Sequence, residues 1–237
     1  MSSLVISHMG ANLGERPILH DIDFAVNSGE VVALLGRNGM GKTTTLKTVM
    51  GVVAMTRGEI VLEGRRLNRM TTHQRRRAGL MYVPEDGGVF QTLTVEENLR
   101  VGAARPVKGV LGPFPELEPL WHRTAALLSG GERKILAFGR AWLSDARWFL
   151  IDEPSLGLAP AVIKRLTEAI KTLKDKGSVL LVEQNVRLAE AVSDRYVLIV
   201  LGRVAASGAM SDLRQSAAYA EGLVNLAGGI YDTQSSS

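Results

Sequence analysis

Apolar and polar residues alternate at two stretches near the start of the chain, 4–6 (LVI) and 18–26 (ILHDIDFAV). A period of two puts one face of a strand on a core and the other in water, so both predict half-buried strands. Residues 10–17 (GANLGERP) are rich in turn formers and predict a loop between them. Residues 31–35 (VVALL) are continuously apolar, the pattern of a strand covered on both faces of a parallel sheet. Similar short runs predict strands at 60–62, 79–83, 148–151 and 178–182. A further apolar stretch, 196–201 (YVLIVL), has strand length. A helix is predicted from Pro160 to Lys176, with proline at its start and Gly177 just past its end. Val162, Ile163, Leu166, Ile170 and Leu173 then form one apolar stripe that belongs to the core.

The texture changes between residues 85 and 142. Pro106, Pro113, Pro115 and Pro119 interrupt this segment, and Thr94-Val95-Glu96-Glu97 forms an S/T-x-x-E capping box at a helix start. The expectation is a single domain over 1–227: an α/β core made of 1–84 and 143–227, with 85–142 inserted as a mostly helical subdomain. Residues 228–237 predict a polar, frayed tail.

No window approaches the roughly 18 consecutive apolar residues that a membrane-spanning helix needs. The opening residues, MSSLVISHMG, lack the basic and apolar regions of a signal peptide, so the chain is expected to stay in the compartment where it is made. At 237 residues, 46% of them hydrophobic, the chain is long enough for one well-buried α/β core. It contains no cysteine, which excludes disulfides, thiolate–zinc sites, iron–sulfur clusters and a cysteine nucleophile together. The formal charge of +4 permits anionic partners without requiring them. Arg65, Arg66, Arg69, Arg75, Arg76 and Arg77 have no interleaved aromatics. They predict a solvated face, or one beside a membrane partner, rather than a nucleic-acid site.

Candidate chemistry sits at three places. Gly36-Arg37-Asn38-Gly39-Met40-Gly41-Lys42-Thr43, followed by Thr44, matches G-x-x-x-x-G-K-[ST] between a buried strand and a helix. Glycines let the backbone wrap a phosphate closely, and the helix adds uncovered N–H groups and the positive end of its dipole. Lys42 supplies a mobile positive charge and Thr43 a hydroxyl ligand for Mg²⁺. Second, the strand Trp148-Phe149-Leu150-Ile151 ends in Asp152 and Glu153, two carboxylates at the sheet edge where open α/β folds bind ligands. Asp152 is placed to hold Mg²⁺, and Glu153 to orient or deprotonate a water. Third, Ser129-Gly130-Gly131-Glu132 forms another capping box, and its glycines leave the first turn of the next helix open to an anion.

GRNGMGKT, LSGGE and WFLIDE, in that order, resemble the ATP-binding cassette family, and the likeness covers nearly the whole chain. The resemblance implies an α/β P-loop NTPase fold with a mixed or parallel core sheet, an N-terminal antiparallel β part and a helical subdomain carrying the signature. It implies two cassettes packed head to tail, each ATP lying between one phosphate loop and the other signature, which accounts for the second anion site. ATP and Mg²⁺ are the implied cofactors, with Glu153, Lys42 and Gln184 catalytic. The phosphate loop, Glu85 and Ser129 to Glu132 are implied to bind nucleotide, and Thr43 and Asp152 to bind metal. Implied partners are a second and different cassette, transmembrane permease subunits and, indirectly, a solute-binding protein. The implied location is cytoplasmic, on the inner face of the plasma membrane.

Val83-Pro84-Glu85, Val89-Phe90, 93–99 (LTVEENL), 152–160 (DEPSLGLAP) and Val182-Glu183-Gln184-Asn185 resemble the second of the two cassettes of branched-chain amino-acid importers. Urea and amide importers are the near alternative. Three positions depart from the usual cassette. Glu85 stands for a glutamine, Gln184 for a histidine, and Leu13 for the aromatic that stacks on adenine, leaving apolar contact or Arg16 for that base. An amide can bond a phosphate but cannot carry imidazolium charge. Either Glu153 alone suffices, or this chain's own site turns over slowly and its signature serves a partner.

Overall fold

The structure, a computed structural model, describes residues 3–216. The chain opens with β1 (Ser3–Leu13), β2 (Arg16–Asn27) and β3 (Val31–Leu35), and α1 (Lys42–Met50) follows. Next come β4 (Met55–Leu62), β5 (Arg65–Arg66), α2 (Thr72–Arg77) and β6 (Leu80–Val83). The inserted segment holds α3 (Val95–Arg100), three short 3-10 turns and α4 (Gly130–Leu143). The remainder is β7 (Trp148–Asp152), α5 (Pro160–Lys174), β8 (Ser178–Val182), α6 (Val186–Val192), β9 (Arg195–Val200), β10 (Arg203–Ala209) and a 3-10 turn (Met210–Gln215).

The strands form one sheet in the order β5-β4-β1-β2-β10-β9-β3-β8-β7-β6. From β9 to β6 the neighbours run parallel, whereas β1, β2, β4 and β5 pair antiparallel. The two parts meet through β10, which is antiparallel to β9 and joined to β2 by the single pair Arg203–Asp21. All five residues of β3, β7 and β8 are buried, as continuous apolar runs on a doubly covered sheet require. One face packs Leu46 and Val49 of α1 against Val32, Leu34, Leu150 and the antiparallel strands. The other carries Phe149 and Ile151 against Leu166 and Ile170 of α5 and against Leu99, Ile135 and Phe138 of the inserted segment. The insert therefore shares a core with the sheet.

The predicted loop at 10–17 is a correction. Only Gly14 and Glu15 turn, and strand occupies the rest. The register shift between Ile6 and Met9 inserts an extra residue into β1, and the next, before Ala11, places its extra residue in β2, leaving Met9, Gly10 and Ala11 buried in succession. Bulges of this kind erase the period-two pattern that announces a strand. β4 likewise starts five residues earlier than its apolar run, because Met55 and Arg57 pair with Ala11 and Gly10 of β1. The stripe on α5 is observed with Leu166, Ile170 and Leu173 fully buried, and the helix closes at Lys174, two residues short. The tail expected at 228–237 lies outside the described residues.

The basic stretch is exposed at Arg65, Arg66, Arg69 and Arg77, but Arg75 is buried. Its guanidinium donates to Thr48 O and Val49 O, both at 2.7 Å, and to Met70 O at 3.1 Å. It thereby satisfies the Val49 carbonyl near the C-terminus of α1 and adds a second donor to Thr48 O, which also accepts from Gly51 N at 3.0 Å. No helix among the described residues is long and apolar enough to cross a membrane.

Candidate nucleotide site

β3 delivers the chain to the phosphate loop at the carboxyl edge of the sheet, and α1 carries it away. Gly36 (φ +141°) lies against the Ile199 carbonyl, and Gly41 (φ +106°) against Leu19. A Cβ at either position would collide, so both the conformation and the space demand glycine. Arg37, Asn38 and Gly39 form the exposed crest. Met40 is held from behind: Gly202 N donates to Met40 O at 3.0 Å, and Gly202 O accepts from His20 N at 2.8 Å. Thr44 is buried, and Thr45 donates through N and Oγ1 to Gly41 O at 2.9 Å.

Lys42 is 4% exposed. Its Nζ donates to Gly36 O at 2.8 Å and Arg37 O at 3.1 Å, and lies 3.5 Å from Glu153 Oε1. Burial draws the amine below its ordinary pKa, while Glu153, Asp152 and Glu183 pull the other way. Thr43 Oγ1 donates to Asp152 Oδ1, and the Tyr82 hydroxyl to Asp152 Oδ2, both at 2.8 Å. Burial raises the Asp152 carboxyl, and these two donors work against that shift. The same burial, with Asp152 beside it, raises Tyr82 and fixes its hydroxyl as a donor.

Glu153 takes a left-handed backbone, φ +41°, uncommon for a residue with a side chain. Its N–H donates to Val182 O at 2.9 Å, and its Oε2 accepts from Gln184 Nε2 at 2.7 Å. The buried Glu183 braces the surroundings by accepting from the N–H groups of Ser155, Gln184 and Asn185 at 2.8–2.9 Å. Glu85 is exposed just beyond β6. Ser129 and Glu132 form the expected capping box, with Oγ accepting from Glu132 N at 3.2 Å and Oε2 from Ser129 N at 2.6 Å. Gly131 has a reason the sequence did not offer: a Cβ there would stand 2.8 Å from Val162 Cγ1, so α4 and α5 approach closely.

Thus Lys42, Thr43, Asp152, Glu153 and Gln184 come together through side-chain contacts at the ends of β3, β7 and β8. The signature residues stand apart at the start of α4, and their link to this group runs through Lys134. Lys134 Nζ donates to Glu153 O at 3.1 Å and Pro154 O at 2.6 Å. Tyr82 and Lys134 escaped the sequence reading, and Glu183 entered it only as part of the 182–185 resemblance. Lys134 left one signal, a charge on the α4 face that also buries Gly131 and Phe138.

A glycine-shaped loop between a buried strand and a helix, with Lys42 inside it and Thr43 on a carboxylate two strands away, defines a P-loop nucleotide-binding protein. Residues 19–156 match the ABC transporter family, and the chain belongs to that family as the ATP-binding subunit of a transporter. It is 37% identical over 215 residues (86% of this chain, 91% of the other) to a probable branched-chain amino acid transport ATP-binding protein LivF of Archaeoglobus fulgidus. It is 40% identical over 200 residues (81% and 86%) to the high-affinity branched-chain amino acid transport ATP-binding protein BraG of Pseudomonas aeruginosa. The lipopolysaccharide export system ATP-binding protein LptB of Haemophilus influenzae is 32% identical over 221 residues (88% and 91%). A solved ATP-binding subunit of an ABC transporter superposes with a TM-score of 0.78 at 32% identity, covering 94% of each chain.

Proposed function

We propose that this chain binds and hydrolyses ATP to energise a membrane importer of branched-chain or related amino acids. The observation that carries the hydrolytic part is the convergence of the Lys42 amine, the Thr43–Asp152 pair and the Glu153 carboxylate at one sheet edge. The solute class is supported by the names of the 37–40% identical relatives, which exceed the LptB likeness at 32%. A urea or amide importer is the neighbouring alternative.

In this reading the amides of residues 36–41 and the Lys42 amine hold the phosphates. The oxygen donors of Thr43 and Asp152 are of the hard type Mg²⁺ prefers, and they would hold that ion, which neutralises phosphate charge when bound. Glu153 orients and deprotonates the attacking water. Gln184 bonds Glu153 and carries no charge, so the site turns over slowly on its own. Glu85 stands beside this chain's own nucleotide, where most cassettes carry a glutamine, and the signature, Ser129 to Glu132, receives phosphate from the nucleotide of a second, different cassette. The core of 1–84 and 143–227 and the helical part at 85–142 act as two units of one domain, with the helical part facing permease subunits. A solute-binding protein supplies the cargo outside, and the cassette sits on the cytoplasmic face of the membrane.

The test is uptake of labelled leucine into vesicles carrying the chain, its second cassette, its permeases and its binding protein. Wild type drives uptake when ATP is supplied. Glu153→Gln binds ATP but neither hydrolyses it nor transports, and Lys42→Ala loses binding. Normal hydrolysis by Glu153→Gln would remove the base from the reading, and urea uptake in place of leucine would replace the solute.

A further inference from the structure

Lys134 lies two residues beyond the signature's last residue, within the first two turns of α4, and is 8% exposed. An ammonium is seldom buried without strong acceptors, because its desolvation is costly. Here the acceptors are the main-chain carbonyls of Glu153 and Pro154, and the carboxylates of Glu183, Glu85, Glu153 and Asp152 provide the surrounding negative field. Burial lowers the amine's pKa and those four carboxylates oppose it.

The place it grips is the strained one. A left-handed conformation at a non-glycine residue costs on the order of 1–3 kcal/mol and persists only when its surroundings over-determine it. Glu153 at φ +41° is such a residue, and this backbone turn aims its carboxylate at Lys42 and Gln184. Two holds on the segment come from β8 and its end: Val182 O on Glu153 N, and the Glu183 carboxylate on Ser155 N. The third comes from α4 through Lys134. The helix that begins with the signature is thus tied directly to the main chain of the proposed base, and Gly131 packed on Val162 seats its first turn against α5.

We propose that Lys134 is a positioning residue that transmits displacement of the signature helix to Glu153, so that an anion engaged at Ser129–Glu132 adjusts this chain's own site. This rests on the reading of Glu153 as the base. A charged tether of this kind has two discrete results: with both carbonyls held the carboxylate is aimed, and with them released the backbone can leave the left-handed region. Two ATP sites that share a signature and a base in this way influence one another's turnover.

The test compares wild type, Lys134→Met and Lys134→Gln in the full chain assembled with its partner cassette. The readouts are ATP affinity, kcat, the Hill coefficient for ATP, and hydrogen exchange of the 153–158 amides with and without ATP. Lys134→Met, which keeps the length and loses the donor, lowers kcat about tenfold with ATP affinity nearly unchanged. It also brings the Hill coefficient toward one and abolishes ATP-dependent protection at 153–158. Lys134→Gln, which retains a donor, restores part of each. Unchanged kcat, cooperativity and protection in Lys134→Met would overturn the proposal. So would a loss of ATP affinity that tracks a lower Tm in both variants, since Lys134 would then serve only the fold. Failure of the base assignment is read separately: Glu153→Gln would keep normal hydrolysis, while the protection of 153–158 would still report whether Lys134 couples the two elements.

Discussion

Gln184 donates its side-chain amide to Glu153, Nε2 to Oε2 at 2.7 Å, so the proposed base has a neutral partner. An amide does not titrate, whereas an imidazole at this position would change charge between pH 5 and 8. With its own residues, the hydrolysis rate is expected to show no imidazole step in that window. Gln184→His should introduce one near pH ~6.5, with the rate rising on the acid side as the imidazolium supplies the positive charge that the amide lacks. A plot of kcat against pH for both proteins checks this.

Tyr82 holds the second oxygen of Asp152, whose pKa burial already raises. Tyr82→Phe removes one of the two hydrogen bonds that oppose the shift, so the carboxyl should protonate at higher pH. The acid limb of the kcat/KM profile should move upward, and the Mg²⁺ concentration for half-maximal rate should rise several-fold, a cost of roughly 1 kcal/mol for one lost donor. Titrating Mg²⁺ at two pH values separates the effects.

The signature's capping box has its own pH signature. The Ser129 N–H, first among the causes, lowers the Glu132 carboxyl below its ordinary range. A carboxyl depressed on folding stabilises the protein above its unfolded pKa, and that contribution disappears as pH falls through the folded value. Glu132→Gln should therefore lower Tm at pH 7 and converge with wild type below the ordinary carboxylate range. Thermal melts at pH 7 and pH ~3 test the convergence.

Arg75 was expected on a solvated face and is instead the cap of α1. Arg75→Met leaves the Val49 carbonyl without its donor, while Thr48 O keeps Gly51 N, and should cost about 1–3 kcal/mol, read by chemical denaturation. Arg76→Met, on a side chain that pairs with the exposed Asp145, should change stability by less than about 1 kcal/mol.

What was legible in the sequence was whatever followed a local rule. VVALL, WFLID and SVLLV read as buried strands because coverage on both faces makes a strand uniformly apolar. The phosphate loop and both capping boxes were visible because their function depends on residues at fixed short intervals. Features set by the fold's long-range meetings were hidden. β10 buries small residues only partly, and beyond its hairpin with β9 its other partner, β2, lies far away in the chain, so its pattern carries little signal. Tyr82 looked like any strand aromatic until Asp152 came beside it. Arg75 was expected on a solvated face and Lys134 drew no expectation, because burial of a cation is decided by carbonyls that tertiary packing supplies. Gln184 is expected to be catalytic, and its bond to Glu153 is a contact that only the fold brings about.

Gly202 touches both sides of the sheet's narrowest joint, receiving the β2 amides on its carbonyl and giving its own N–H to Met40. Within the sheet the antiparallel strands join the parallel ones through the one β2–β10 pair, with Gly202 beside it. The His20 and Asp21 amides of β2 and the rim of the phosphate loop at Met40 are therefore fastened to the same glycine, so the outer strands and the loop share one anchor that neither segment supplies.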